Sequence, residues 1–202
     1  MSQKLPKTFY TNTNVLAISK ALLGKFLVTK LNSNTITAGM IVETEAYCGP
    51  EDKASHAYGN KRTARTETMF FDGGYAYIYL CYGMHNLFNI VTATKDVPHA
   101  VLIRAIEPTE GIPLMLRRRN LKQNGPKLTA GPGSLTKALG ITVRHDKTDL
   151  CGEKIWLEDR GIKIPSAKIE TGPRVGVAYA KEHAKLPWRF KIKNNPWVSM
   201  AK

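Results

Sequence analysis

The residues best suited to chemistry in this 202-residue chain begin with Met-Ile-Val-Glu-Thr-Glu-Ala-Tyr at positions 40–47. Read as a β-strand, this stretch alternates its side chains, so Ile41, Glu43, Glu45 and Tyr47 share a face. Two carboxylates and a phenol on one side of an apolar strand call for an explanation. Buried carboxylates are rare unless paired or functional, and an edge strand with that face in water is the plain alternative. Arg104 raises the matching question. It sits in Ala-Val-Leu-Ile-Arg-Ala-Ile at 100–106, and an arginine in an apolar strand needs an anion. An ion pair with Glu43 or Glu45 would serve, and so would a phosphate or a bound water.

Aromatic residues come next. Tyr75, Tyr77 and Tyr79 recur at period two, which is ordinary for a strand with a packed face. Tyr82 falls on the other face at the strand end, before Gly83, Met84 and His85. A tyrosine presented at a turn suits a wedge pushed between base steps. Asn89 lies among Leu87, Phe88, Ile90 and Val91, and a buried amide there must be hydrogen-bonded. His56 lies in a long polar loop, where most histidines are simply exposed. Gly131-Pro132-Gly133-Ser134 opens a helix and could offer backbone N–H groups to a phosphate, although it is also an ordinary way into a helix.

These residues need a scaffold. Thr11 or Asn12 can cap a helix over 14–23 that ends at Gly24. Strands are expected at 26–31 and 35–47, joined by a turn at 32–34. Residues 51–68 form a polar, basic loop without periodicity, and loops of that length are usually functional. Further strands are expected at 75–82, 86–93, 100–106, 154–158, 175–180 and 188–193, with helices at 112–119 and from Gly131 to Gly140. Sequential strands with segregated helices make an α+β fold, and residues 1–202 are expected to form a single domain.

Charge narrows the class of partner. The chain carries 30 Lys and Arg against 16 Asp and Glu, a formal charge of +14. Residues 181–202 hold six basic residues and one acid, and Arg117, Arg118 and Arg119 form a second run. Solubility needs a net charge of only roughly 2 to 8, so the excess points to a polyanion. The three cysteines form no CxxC pair and the five histidines no HxxxH pair, so neither a disulfide framework nor a metal site is expected. No segment reads as a signal peptide or a membrane span, and the cytoplasm is the expected location.

The order of these blocks closely resembles the alkyladenine (3-methyladenine) DNA glycosylase family, from about Phe9 to the C-terminus. Val42-Glu43-Thr44-Glu45-Ala46-Tyr47 with Gly49-Pro50-Glu51-Asp52, Ser55-His56, the Tyr77–Met84 block with Asn89, Leu102-Ile103-Arg104-Ala105, Arg174-Val175-Gly176-Val177 and Asn195-Pro196-Trp197-Val198-Ser199 carry the likeness. The resemblance implies one mixed domain around a curved antiparallel β-sheet, without a helix-hairpin-helix and without a cofactor. It implies that Glu45 is the general base and that Arg104 and the backbone at Val175 help place its water. Tyr47 would form one wall of a base pocket, with His56 and Tyr79 as the other and Asn89 disfavouring normal guanine. Tyr82 would fill the gap left by a flipped nucleotide, with Met84, His85 and Arg65 also contacting DNA. The chain departs from the family at Ala64, Ser134 and His85, positions that bear on DNA contact rather than chemistry.

The expected activity is therefore hydrolysis of the N-glycosidic bond of alkylated or deaminated purines in duplex DNA, leaving an abasic site. The expected species is a monomer. The alternative is a non-catalytic basic nucleic-acid-binding module, which explains the charge but not Glu45. In either case affinity for duplex DNA should fall steeply with salt. A plot of log affinity against log salt should slope by about −0.9 for each phosphate neutralised, and a flat line would point to a small-molecule substrate.

Overall fold

Asn14 starts the first long helix, its side chain accepting a hydrogen bond from the Ala17 N–H at 3.0 Å. Neither Thr11 nor Asn12 is the cap; Asn12 instead accepts from the Asn14 N–H. The computed structural model describes residues 2–31 and 35–200. In chain order the elements are β1 (Gln3–Lys4), α1 (Lys7–Tyr10), α2 (Val15–Ala21), β2 (Phe26–Thr29), β3 (Thr37–Tyr47), β4 (Ala76–Cys81), β5 (His85–Thr92), β6 (His99–Glu110), α3 (Ile112–Arg119), α4 (Pro132–Leu139), β7 (Ile155–Asp159), β8 (Ile169–Gly172) and β9 (Arg189–Ile192). The expected turn at 32–34 lies outside the described residues.

The strands join one antiparallel sheet in the order β1-β7-β2-β3-β6-β5-β4, strongly curled into a half-barrel. The α+β class and the curved sheet are thus as expected. β3 is long enough to divide one edge between two partners. Met40 and the residues before it pair with β2, while Glu43, Thr44 and Glu45 pair with β9, which in turn carries β8.

Helices α2 and α4 pack against one face of the sheet. Ile18 and Leu22, together with Leu135 and Leu139 of α4, pack with Ile41, Ala46, Phe88, Ile90, Val101, Ile103 and Ile106 in the main core. Each large apolar side chain buried there contributes about 1.5–3 kcal/mol.

One sequence expectation fails here with consequences for the site. Ile41 does not share a face with Glu43 and Glu45. It packs in the core beside Ala46, so side-chain parity reverses between positions 41 and 44. The register shows why. Ile41 opposes Ile106 and Glu43 opposes Ala105, yet Thr44 opposes Ile103. Val42 and Arg104 are the extra residues of paired irregularities, and such bulges re-aim side chains. Strict alternation cannot foresee them.

Other differences have local causes. The expected strand at 175–180 is absent. Gly176 takes φ 74° and Lys181 φ 54°, left-handed values that extended backbone does not hold, and Ala178–Lys185 coils into 3₁₀ turns. The 51–68 loop contains 3₁₀ turns at Tyr58–Asn60 and Glu67–Phe70. β1, α1 and β8 are too short to show periodicity. Among the described residues no helix is long and apolar enough to cross a membrane.

Candidate active site

The bulge brings Arg104 between two carboxylates. Glu43 and Glu45 have no exposed surface. Arg104 Nε donates to Glu43 Oε1 at 2.8 Å, and its Nη1 lies 3.1 Å from Glu45 Oε1. The ion-pair reading holds with both carboxylates at once. Burial opposes the charge on Arg104, but Glu45 and Glu43 together raise its pKa and keep it cationic.

The two acids are held differently. Around Glu43, Oε1 accepts from Arg104, from Arg189 Nε at 2.7 Å and from Ser199 Oγ at 3.0 Å, while Oε2 accepts from the Ser199 N–H at 2.7 Å. Glu45 is less enclosed by partners. Its Oε1 accepts the Val175 N–H at 2.8 Å, and its Oε2 accepts the Tyr47 hydroxyl at 2.8 Å. Burial, and then the charge of Glu45, push the Tyr47 phenol well above its ordinary pKa, so it stays protonated and donates. A carboxylate oxygen can accept about two hydrogen bonds, so Glu45 Oε2 has capacity for one more.

A cavity of about 650 Å³, within the range of small-molecule sites, lies against the groups that hold Glu45. Tyr47, Arg104 and Val175, the three partners of Glu45, line it. So do His56, Tyr79 and Asn89, with Arg65, Tyr82 and His85 toward its rim. Met84 is beside Tyr82 at 69% exposure and does not line the cavity. Tyr47 on β3 and Tyr79 on β4 are three strand spacings apart, roughly 14 Å on a flat sheet. Curling of the sheet lets them bound one space.

His56 Nδ1 is 2.8 Å from the Tyr77 hydroxyl, and its ring meets Tyr79 edge-on at 4.6 Å. Burial, and then the nearby charge of Arg65, lower the His56 pKa to about 4. The wall is therefore neutral at neutral pH. Asn89 donates through Nδ2 to the Tyr77 and Leu87 carbonyls at 3.1 and 3.4 Å, which fixes its amide.

Tyr82 occupies a turn instead of a strand end. Met84 N–H donates to the Cys81 carbonyl at 3.1 Å, and both Tyr82 (φ 49°) and Gly83 (φ 68°) are left-handed. That combination marks a type I′ hairpin turn. A tyrosine at positive φ is strained by about 1–3 kcal/mol. It is 85% exposed, so no packing accounts for it. Close by, a Cβ on Gly133 would come within 2.9 Å of the His85 ring. Ser134 meanwhile accepts from Arg119 at 3.1 Å.

Sequence reasoning missed several supporting groups. Arg174 forms a buried pair with Asp52, donates to the Ala46 carbonyl at 2.9 Å and lies 4.7 Å over the Tyr47 ring. Arg189 was equally hidden, and Ser199 carried only the family likeness, with no role of its own. A buried arginine far from its acid in sequence leaves no local signal. Among the described residues, no group of three or more His, Cys, Asp or Glu could hold a metal ion.

Residues 8–196 match the methylpurine-DNA glycosylase family profile. The chain belongs to that family. A Chlamydia abortus protein is 50% identical over 190 residues, covering 93% of this chain and 97% of its own. A Natranaerobius thermophilus protein is 44% identical over 198 residues, covering 98% and 99%. Both carry the name 3-methyladenine DNA glycosylase as a provisional assignment.

The His56 wall gives a direct expectation. NMR titration of its ring protons should show a midpoint near pH 4. Because the folded pKa lies below the unfolded value, the unfolded chain binds the extra proton first. This histidine's contribution to stability is therefore present above about pH 6.5 and is lost as pH falls toward 4. A midpoint at the ordinary histidine value would mean the ring is solvated and not part of a wall.

Proposed function

We propose that this protein is a base-excision repair glycosylase that flips alkylated or deaminated purines from duplex DNA and hydrolyses their N-glycosidic bond. The observation that carries the reading is Glu45: a fully buried carboxylate held by a main-chain N–H, a phenol and an arginine that themselves line an aromatic-walled cavity.

A base in a duplex must leave the stack before its glycosidic bond is reachable, at a cost of a few kcal/mol. Phosphate contacts from the basic surface offset that cost, and Tyr82 fills the vacated space. The flipped base stacks between Tyr47 and the His56–Tyr79 wall. Ring alkylation makes a purine cationic, and aromatic faces attract cations. The rigid amide of Asn89 crowds a base that carries an extra exocyclic amine.

Cleavage passes through an oxocarbenium-like state. The bond from the sugar carbon to the base breaks, and its electron pair leaves with the base, which neutralises an alkylated purine. Water attacks that carbon and gives its proton to Glu45 Oε2. Arg104 and the Val175 N–H hold Oε1 and so fix the carboxylate. Glu43 is held by Arg104, Arg189 and Ser199 and acts through Arg104. Among the described residues no lysine lines the cavity, which favours a hydrolytic product, the abasic site, over a Schiff base. A purely DNA-binding module would have no use for a carboxylate buried at this depth beneath a basic surface.

Glu45→Gln should bind lesion DNA but excise about 10²- to 10⁴-fold more slowly in single-turnover assays. Activity within a few-fold of wild type would remove Glu45 as the base. Glu43→Gln should show mainly a lowered melting temperature, because it breaks a buried ion pair.

Tyr82→Ala should keep the melting temperature, since the side chain packs against little. It should lower the flipped population by roughly 5- to 150-fold on well-paired lesions, from about 1–3 kcal/mol of lost stacking. An equal loss on single-stranded substrates would show that Tyr82 is not a wedge.

A further inference from the structure

Arg65 has no carboxylate partner among the described residues, unlike Arg62, which pairs with Glu67 and Asp96. Its guanidinium sits 5.1 Å over the Tyr79 ring, and its Nη2 is 3.5 Å from His56 Nε2. Arg65 lines the cavity while remaining solvent-exposed. The cation-attracting site on the aromatic wall is thus already taken, by a solvent-exposed residue.

We propose that Arg65 is a charge-selecting residue of the cavity: in the free protein its guanidinium occupies the cation position on the Tyr79 wall, and a cationic base enters only when a DNA phosphate draws Arg65 away. The proposal rests on the cavity being the base site. A neutral base meets no like charge and can stack beside the guanidinium. A cationic base meets one at contact range, where aromatic surface no longer screens it. The phosphates flanking a flipped nucleotide offer Arg65 a charge-assisted bond that a free nucleoside lacks. Recognition of charged lesions is thereby tied to having the duplex in place, and free alkylated bases are held off.

The test compares wild type with Arg65→Gln, titrated without DNA at about pH 6, where His56 is neutral. The probes are N7-methylguanosine, a cation there, and inosine, a neutral nucleoside; binding is read by NMR. The variant should bind N7-methylguanosine about twofold to fivefold more tightly, the range of an exposed cation–π contact, and should leave inosine binding unchanged. On duplexes, the variant should lose more on a neutral lesion than on a cationic one, because losing the phosphate contact weakens both while the like charge disappears only for the cation. The His56 midpoint should also rise once the neighbouring charge is gone.

Equal changes for both nucleosides, or no tightening for the cation, would overturn the proposal and leave Arg65 as an ordinary phosphate contact. Binding of neither nucleoside at millimolar concentration would overturn it as well. Base release from lesion duplexes by wild type is read separately, so failure of the glycosylase reading would be distinguishable from failure of this one.

Discussion

Everything around the cavity depends on burying two carboxylates on one face of β3. An isolated buried carboxylate costs several kcal/mol, and only close cations and a full set of hydrogen bonds offset it. The molecule meets that constraint by convergence. β6 contributes Arg104, β9 contributes Arg189, the C-terminal segment contributes Ser199, and the loop after β8 contributes the Val175 N–H. Four segments far apart in sequence are thereby fastened to β3. The same contacts fix the rotamer of Glu45 within its own low-dielectric surroundings, which is the preorganisation that a charge-stabilising group requires.

The neighbouring Arg174–Asp52 pair works on Tyr47. Its guanidinium lies between the Tyr47 and Trp188 rings, 4.7 and 5.0 Å from their centroids. It also anchors to the Ala46 carbonyl, one residue away from both Glu45 and Tyr47. The Tyr47 side of the cavity and the acid beside it therefore share one support. Movement of the 173–177 loop would disturb both together, since Arg174 and Val175 are adjacent. Val177 and Ala180 pack with Ala54 and Tyr47 and hold that loop down.

The strands and helices that follow hydrophobic period were legible in the sequence: α2, β3, β5, β6 and α4 lie close to where the pattern puts them. Tyr82 was legible as exposed, because a strand-end tyrosine before glycine has no packing partner. Grouping the pocket residues needed the family resemblance, since no local pattern relates Tyr47, His56, Asn89 and Val175. What stayed hidden was non-local or irregular. The paired bulge that separates Ile41 from Glu43 is a register event between β3 and β6, and neither strand's sequence reveals it alone. Val175 read as strand because valines alternate there, but the positive φ of Gly176 overrides propensity. Arg189 looked like one of six basic tail residues on a solvated surface, although it is buried on Glu43.

That last error exposes how charge is distributed. Among the described residues the buried ionisable groups that carry charge are Glu43, Glu45 and Asp52 against Arg104, Arg174 and Arg189, three of each sign. The interior is balanced, so the excess of +14 lies outside that set. The two regions do different work. Surface charge acts at the range of a Debye length, roughly 8–10 Å, and gathers a polyanion without regard to sequence. The balanced interior leaves Glu45 with an environment that an approaching phosphate hardly alters. A basic surface without interior balance would draw on the carboxylate itself as a counter-ion. An acidic site without the surface charge would repel the duplex it has to reach. Glu45 shares Arg104 with Glu43 through Oε1, while its Oε2 is held by the neutral Tyr47 phenol, so Oε2 is the oxygen that no cation contacts directly among the described residues.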